Sequence, residues 1–253
     1  MRLVICEDYA AMSAAAAQIV TDLVRQKPNA VLCLPTGSTP LGFYKELRTA
    51  SVSLAEVTTF NLDEYRGLTR EHDQSYYHFM QENLFDHVDI DLAKTNIPNG
   101  MAPDPEAECA RYEAAIEAAG GIDVALLGLG HNGHIGFNEP GTPWDARTRR
   151  VQLAPKTIEA NSRFFGSSEK VPTEALTMGI GTILEAKQIL LLVSGEGKAE
   201  ILKQVLEGQL TTAVPGSVLR THPNVIALVD KAAAKSIAEP WWAAQPIAVG
   251  TSY

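Results

Sequence analysis

The sequence predicts an α/β fold: a doubly wound, mostly parallel sheet with helices on both faces, modified Rossmann-like, in a single domain. Three observations predict it. Short apolar runs alternate with amphipathic helical stretches, as crossover units require. The runs at 30–34, 124–129, 189–193 and 225–229 are apolar at nearly every position, which marks strands covered on both faces. A chain of 253 residues, 45% hydrophobic and 20% charged, can bury one large core without disulfide or metal staples.

Residues 2–7 form the first β-branched run. Asp8 then suits an N-cap for a helix over 9–27, in which Met12, Ala16, Ile19, Val20, Leu23 and Val24 recur at helical spacing, and Pro28 closes it. The strand at 30–34 leads through Pro35-Thr36-Gly37-Ser38-Thr39-Pro40 into a helix over 41–48. Residues 57–62 read as a third strand running into Asp63-Glu64, and 75–88 as a helix after a polar loop. Asp104-Pro105 places a cap and a first-turn proline in the favoured order, and Gly120-Gly121 stops that helix. The strand at 124–129 is followed by a stretch rich in glycine and proline, then by a helix over 156–165. A strand at 189–193, a helix over 198–206 and a last strand at 225–229 complete the alternation. Residues 1–238 make one domain. The tail 239–253, with Trp241-Trp242, departs from the pattern and is an appended segment without an assigned role.

Composition excludes several partners. With 21 Lys+Arg against 30 Asp+Glu the net charge is −9, which disfavours nucleic acid and anionic membrane surfaces. No run reaches the length of a membrane span, and Met1-Arg2 leads straight into a strand without a signal-peptide layout. Cys6, Cys33 and Cys109 show no framework or metal-ligand spacing and read as reduced core thiols, so a cytoplasmic location is expected. The sequence leaves a homo-oligomer open.

In an open parallel sheet, ligands sit outside the carboxyl ends of the strands, which directs attention to the loops at 35–40, 63–66, 128–143 and 194–198 and after Val229. Thr36-Gly37-Ser38-Thr39 offers hydroxyls and successive backbone N–H groups at a helix start, suited to a phosphate or to a simple tight turn. No Gly-Lys-Ser/Thr follows, so it is not a nucleotide P-loop. Ser194-Gly195-Glu196-Gly197-Lys198 is a second glycine turn, whose lysine opposes the helix dipole and would be explained by an anionic ligand or by simple solvation.

Gly128-Leu129-Gly130-His131-Asn132-Gly133 fits G-x-G-x-x-G after a strand. The breakers that follow, including Pro140, Gly141 and Pro143, deny it the helix that a dinucleotide site needs. His134 and Glu139 share this loop, and Asp63 ends another strand. Together they make a set for moving protons on carbon and oxygen, although each alone reads as readily as a structural residue. As metal ligands, His131, His134 and Glu139 lack an accompanying cysteine or acidic cluster, and no metal is expected. No G-x-S-x-G elbow supports a serine hydrolase.

Read together, Leu34-Pro35-Thr36-Gly37-Ser38-Thr39-Pro40, Phe60-Asn61-Leu62-Asp63-Glu64-Tyr65, Gly133-His134-Ile135-Gly136-Phe137-Asn138-Glu139-Pro140, Ala160-Asn161-Ser162-Arg163-Phe164-Phe165 and Thr221-His222-Pro223-Asn224 closely resemble the glucosamine-6-phosphate deaminase family in order and spacing. The resemblance spans roughly residues 1–235. It implies a cofactor-free conversion of D-glucosamine 6-phosphate and water to D-fructose 6-phosphate and ammonia, with a sugar phosphate as the partner molecule. By this resemblance Asp63 moves the proton between sugar C2 and C1, and His134 assists ring opening, held by Glu139. Gly37, Ser38, Thr39, Arg163 and Lys198 bind phosphate. Some family members carry aspartate where this chain has Asn132, an amide that orients His134 without adding charge. The region after Asn-Glu-Pro, with Thr142-Pro143-Trp144 and Arg149-Arg150-Val151, only partly matches the effector site of the allosteric members, so effector activation is not expected. The preference between glucosamine and galactosamine 6-phosphate stays open. Two alternatives differ in visible ways: 6-phosphogluconolactonases usually show Asp-Glu-Arg and lack Phe-Asn-Glu-Pro, and sugar-phosphate sensors of this fold carry a DNA-binding helix-turn-helix ahead of the domain.

Overall fold

The computed structural model describes residues 1–165 and 171–238. The tail 239–253, named above as an appended segment, lies outside the described residues. The strands β1 (Arg2–Cys6), β2 (Val31–Leu34), β3 (Thr58–Asn61), β5 (Thr95–Asn96), β6 (Val124–Gly128), β9 (Gln188–Val193) and β10 (Val225–Asp230) form a sheet ordered β1-β10-β9-β6-β2-β3-β5. All of its pairings are parallel.

Side-chain alternation in the strands explains why helices cover both faces. Ile189, Leu191 and Val193 of β9 point into one core, together with α4 (Pro105–Ala118), α6 (Ile180–Leu184) and α7 (Ala199–Glu207). Leu190 and Leu192 point into the other, against α1 (Tyr9–Gln26), α2 (Leu41–Thr49) and α3 (Tyr76–Asn83). The apolar runs are continuous because each successive residue has a core to enter.

Strand order fixes where a ligand can go. From β2 the chain adds β3 and β5 toward one edge, and from β6 it adds β9 and β10 toward the other. The loops leaving β2 and β6 therefore part in opposite directions and open a crevice at their carboxyl ends.

A second sheet escapes the sequence reading. β4 (Asp63–Tyr65) pairs antiparallel with β8 (Glu174–Thr177), which pairs in turn with β7 (Arg149–Gln152). Asp63-Glu64, expected in a loop, thus lies on a strand of its own, one residue beyond β3. Other boundaries shift too. The helix expected over 75–88 ends as α3 at Asn83, where Leu84 leaves helical geometry at φ −143°, and a 3₁₀ turn at Phe85–His87 follows. Lys198, expected in a helical first turn, closes a 3₁₀ turn at Glu196–Lys198 and sits as the residue before α7. α5 (Pro155–Phe165) and a cluster of Tyr65, Phe137, Leu153 and Ala175 join the small sheet to the main body.

Candidate active site

A cavity of about 250 Å³ occupies the crevice. It is lined from β2 by Thr36, Gly37, Ser38 and Thr39, from β4 by Asp63, from the loop after β6 by Gly130, His131, His134 and Gly136, and from the turn before α7 by Lys198. Four of the five loops selected from the sequence thus meet at one place. The fifth does not reach the cavity but serves it indirectly. Asp230, at the end of β10, accepts hydrogen bonds from Ser194 Oγ at 2.5 Å and Gly195 N at 3.0 Å, fixing the glycine turn that presents Lys198.

Gly37, in the loop after β2 that lines the crevice, adopts φ 98°, in the left-handed region that favours glycine. Tyr9 holds the loop: its hydroxyl donates to Thr39 O at 3.0 Å and accepts from Gly42 N at 2.7 Å. Lys198 Nζ donates to Leu129 O at 2.7 Å, which points the ammonium into the cavity, and burial lowers its pKa. Arg163 lies on α5, but its side chain is outside the described residues.

His134, Asn132 and Glu139 form one hydrogen-bonded cluster. Asn132 Nδ2 donates to Glu139 Oε2 at 2.7 Å, which turns its Oδ1 toward His134 Nδ1, also at 2.7 Å. The carbonyl can only accept, so Nδ1 carries the hydrogen, and Nε2 is left as the ring's other polar atom. Thr157, from the first turn of α5, donates to Glu139 Oε1 at 2.6 Å. Burial would raise the carboxyl, but hydrogen bonds from His134, Thr157 and Asn132 outweigh it and pull the Glu139 pKa down to about 2. The imidazole packs on Gly130, where any Cβ would overlap the ring.

Asp63 has the opposite surroundings. Its carboxyl is 6% exposed, burial acts first and the neighbouring Glu64 second, and together they raise its pKa to about 8. Gly136, at φ 55°, passes over it so closely that a Cβ there would stand 3.4 Å from Asp63 Oδ2 and 3.2 Å from Thr177 Oγ1. The bare backbone leaves the carboxyl open to the cavity.

Other residues of the matched motifs are structural. Asn138 is fully buried, donating to Ile135 O and Met178 O and accepting from Arg149 Nη1 at 2.8 Å, so it staples the long loop to β8 and β7. His222 accepts from Asn224 N through Nδ1 and contacts Ala186 O through Nε2, away from the cavity. Sequence reasoning missed Tyr76 and Thr157, which line the cavity from α3 and α5, and the support given by Asp230. The only local signal for Thr157 was its place just after Pro155 at a helix start. Among the described residues no group of three or more His, Cys, Asp or Glu side chains is placed to hold a metal ion.

The arrangement can seat an anion on the Thr36–Thr39 loop and Lys198, transfer a proton at Asp63 and relay another through His134. Comparison with known proteins is consistent with that chemistry. The family model for glucosamine-6-phosphate isomerases and 6-phosphogluconolactonase matches residues 7–227. The chain is 52% identical to the glucosamine-6-phosphate deaminase of Thermoanaerobacter pseudethanolicus, over 94% of this chain and 95% of that one. It is 52% identical to that of Clostridioides difficile, over 94% and 97% respectively. A solved structure described as a monomeric glucosamine-6-phosphate deaminase superposes with TM-score 0.91 at 46% identity, covering 93% of this chain and all of that one. The 6-phosphogluconolactonase of Trypanosoma brucei shares the fold, with TM-score 0.75 at 20% identity over 94% and 98%.

Proposed function

This chain belongs to the glucosamine-6-phosphate isomerase and 6-phosphogluconolactonase family, and from that premise we propose how it works. It is an enzyme that converts D-glucosamine 6-phosphate and water to D-fructose 6-phosphate and ammonia. The residues that carry this out, and the steps below, are our proposal.

Phosphate is held by Gly37, Ser38 and Thr39, with charge from Lys198 and, by resemblance, Arg163. His134 Nε2 takes the proton from the sugar's O1 hydroxyl and delivers it to the ring oxygen as the C1–O5 bond breaks, giving the open-chain aldehyde. Asn132 and Glu139 keep the imidazole in the tautomer that leaves Nε2 free to accept. Asp63, as carboxylate, takes the proton from C2 while the aldehyde oxygen gains one from the substrate's C2 ammonium, forming an enolamine. The carboxyl then returns a proton at C1, producing the 2-imine. Water adds at C2 and ammonia leaves, so every atom of water is accounted for in the ketone oxygen and the ammonia hydrogens.

The observation that carries this reading is the placement of Asp63 and His134 in the wall of one cavity that the Thr36–Thr39 loop and Lys198 also line. Ammonia and fructose 6-phosphate released from glucosamine 6-phosphate in equal amounts by the purified protein test it, with galactosamine 6-phosphate as the comparison substrate. Binding without turnover would instead favour a sugar-phosphate sensor, and lactone hydrolysis the gluconolactonase alternative.

The domain comprises residues 1–238, and the three buried free thiols are in keeping with a cytoplasmic location. Among the described residues no helix is long and apolar enough to cross a membrane.

A further inference from the structure

The helix α2 begins without a cap of its own. The residue before it, Pro40, has no side-chain oxygen to offer, and Leu41 N reaches only Ser38 O at 3.4 Å. The next donor, Gly42 N, is taken by Tyr9 at the start of α1, whose hydroxyl oxygen accepts it at 2.7 Å. The same hydroxyl directs its hydrogen at the carbonyl oxygens of Ser38 and Thr39, at 3.2 and 3.0 Å. One phenol oxygen therefore joins α1, the loop after β2 and the start of α2.

This contact is possible because the two helices approach closely at Gly42. A Cβ there would stand 2.3 Å from Ser13 Oγ and 2.9 Å from Tyr9 Cε1, so any side chain at 42 would push α1 and its tyrosine away.

Peptide geometry carries the effect into the cavity. The peptide bonds here are trans, and in a trans peptide the carbonyl and the N–H that follows it point in opposite directions. With the Ser38 carbonyl turned to Tyr9, the Thr39 N–H points away from Tyr9. Thr39 and Ser38 line the cavity, whereas Tyr9 does not. Turning the Thr39 carbonyl outward as well costs no donor, because Pro40 has no N–H. Among the described residues neither Ser38 N nor Thr39 N donates to another group of the protein, so both are open to an anion.

We infer that Tyr9 is a positioning residue for the substrate's phosphate: without lining the cavity itself, it holds the Ser38 and Thr39 carbonyls outward and so keeps the Thr39 N–H aimed at the anion. The inference rests on the phosphate site of the deaminase reading above and deepens it, by naming what preorganises that site. Without the phenol oxygen the anion itself must order the loop, which lowers affinity. A phosphate held alike in ground and transition states is uniform binding, so Tyr9 acts on KM and leaves kcat alone.

Tyr9→Phe keeps the ring and removes only the oxygen. KM for glucosamine 6-phosphate and the inhibition constant of inorganic phosphate should both rise roughly 3–10-fold, as for loss of hydrogen bonds of ordinary net strength, with kcat within about twofold of wild type. A purely structural role would lower the melting temperature and leave both constants in place. That result overturns the inference, as does a loss confined to kcat. Should Tyr9→Phe fail to fold by circular dichroism, nitrogen-15 NMR of wild type decides: the Thr39 amide must shift on addition of inorganic phosphate, and an unmoved Thr39 amide overturns the inference. Failure of the deaminase reading would look different, with no ammonia released from glucosamine 6-phosphate by wild type while inorganic phosphate still moves the Thr39 amide.

Discussion

Asp63 and Glu139 are carboxylic acids in the wall of, or directly behind, the same cavity, and their surroundings drive them in opposite directions. Glu139 is given a donor on every side, from Asn132, Thr157 and the His134 ring, and stays ionised down to about pH 2. Asp63 is given burial, a neighbouring acid and a bare glycine backbone, and holds its proton up to about pH 8. Identical chemistry is thus divided into a fixed charge that orients an imidazole and a movable proton that can visit carbon. The distinction comes from hydrogen-bond supply: where donors are present burial is overcome, and where they are withheld burial prevails.

The most severe way to break the contrast is Asp63→Asn. Turnover should fall by roughly 10²–10⁴ or more, as for loss of a positioned acid–base group. The same variant should melt at a higher temperature than wild type at pH 8. A carboxyl whose folded pKa lies near 8, against an ordinary 3.8, binds more protons folded than unfolded between those values, so its contribution to stability declines as pH rises through that window. The advantage of asparagine should be absent near pH 4 and complete by about pH 8, readable in paired thermal melts. Glu139 behaves oppositely. Its depressed pKa contributes stability present above about pH 4.5 and lost as pH falls toward 2.

Lys198→Ala should come next, raising KM by roughly 10–100-fold with kcat nearly unchanged, since a phosphate gripped alike in ground and transition states is uniform binding. Steady-state kinetics that show a falling kcat at constant KM would move Lys198 from phosphate to the reacting atoms. The smallest effect is expected from Thr157→Val, which removes one of the donors to Glu139. It should lower kcat by about tenfold or less and raise the Glu139 pKa, in keeping with loss of a hydrogen bond to a charged group. A kcat unchanged in that variant would mean that Asn132 alone fixes the imidazole.

The sequence disclosed the main sheet well, because buried parallel strands such as Ile189–Val193 are apolar on both sides and cannot be mistaken for surface segments. It disclosed three of the cavity-lining loops for the same reason, since 35–40, 128–143 and 194–198 each follow such a strand, and the fourth, 63–66, through its place after the more polar β3. The small antiparallel sheet stayed hidden because β4 is three residues of acid, acid and tyrosine, β7 alternates half-buried Arg149 and Val151 with exposed Arg150 and Gln152, and neither resembles a core strand. Tyr76, Thr157, Tyr9 and Asp230 were not assigned to the site, because their roles depend on contacts between distant segments, as between Tyr9 and Gly42, or Asp230 and Gly195. Asp63 was found, but its unusual protonation was not, since that follows from what is missing around it.

The direct test of this contrast is a carboxyl titration of the free protein, by carbon-13 NMR of aspartate-labelled wild type and Asp63→Asn. One resonance present in wild type and missing from the variant should titrate near pH 8. If the resonance lost on substitution titrates near pH 4, Asp63 is an ordinary carboxylate, and the division of labour between the two acids described here is wrong.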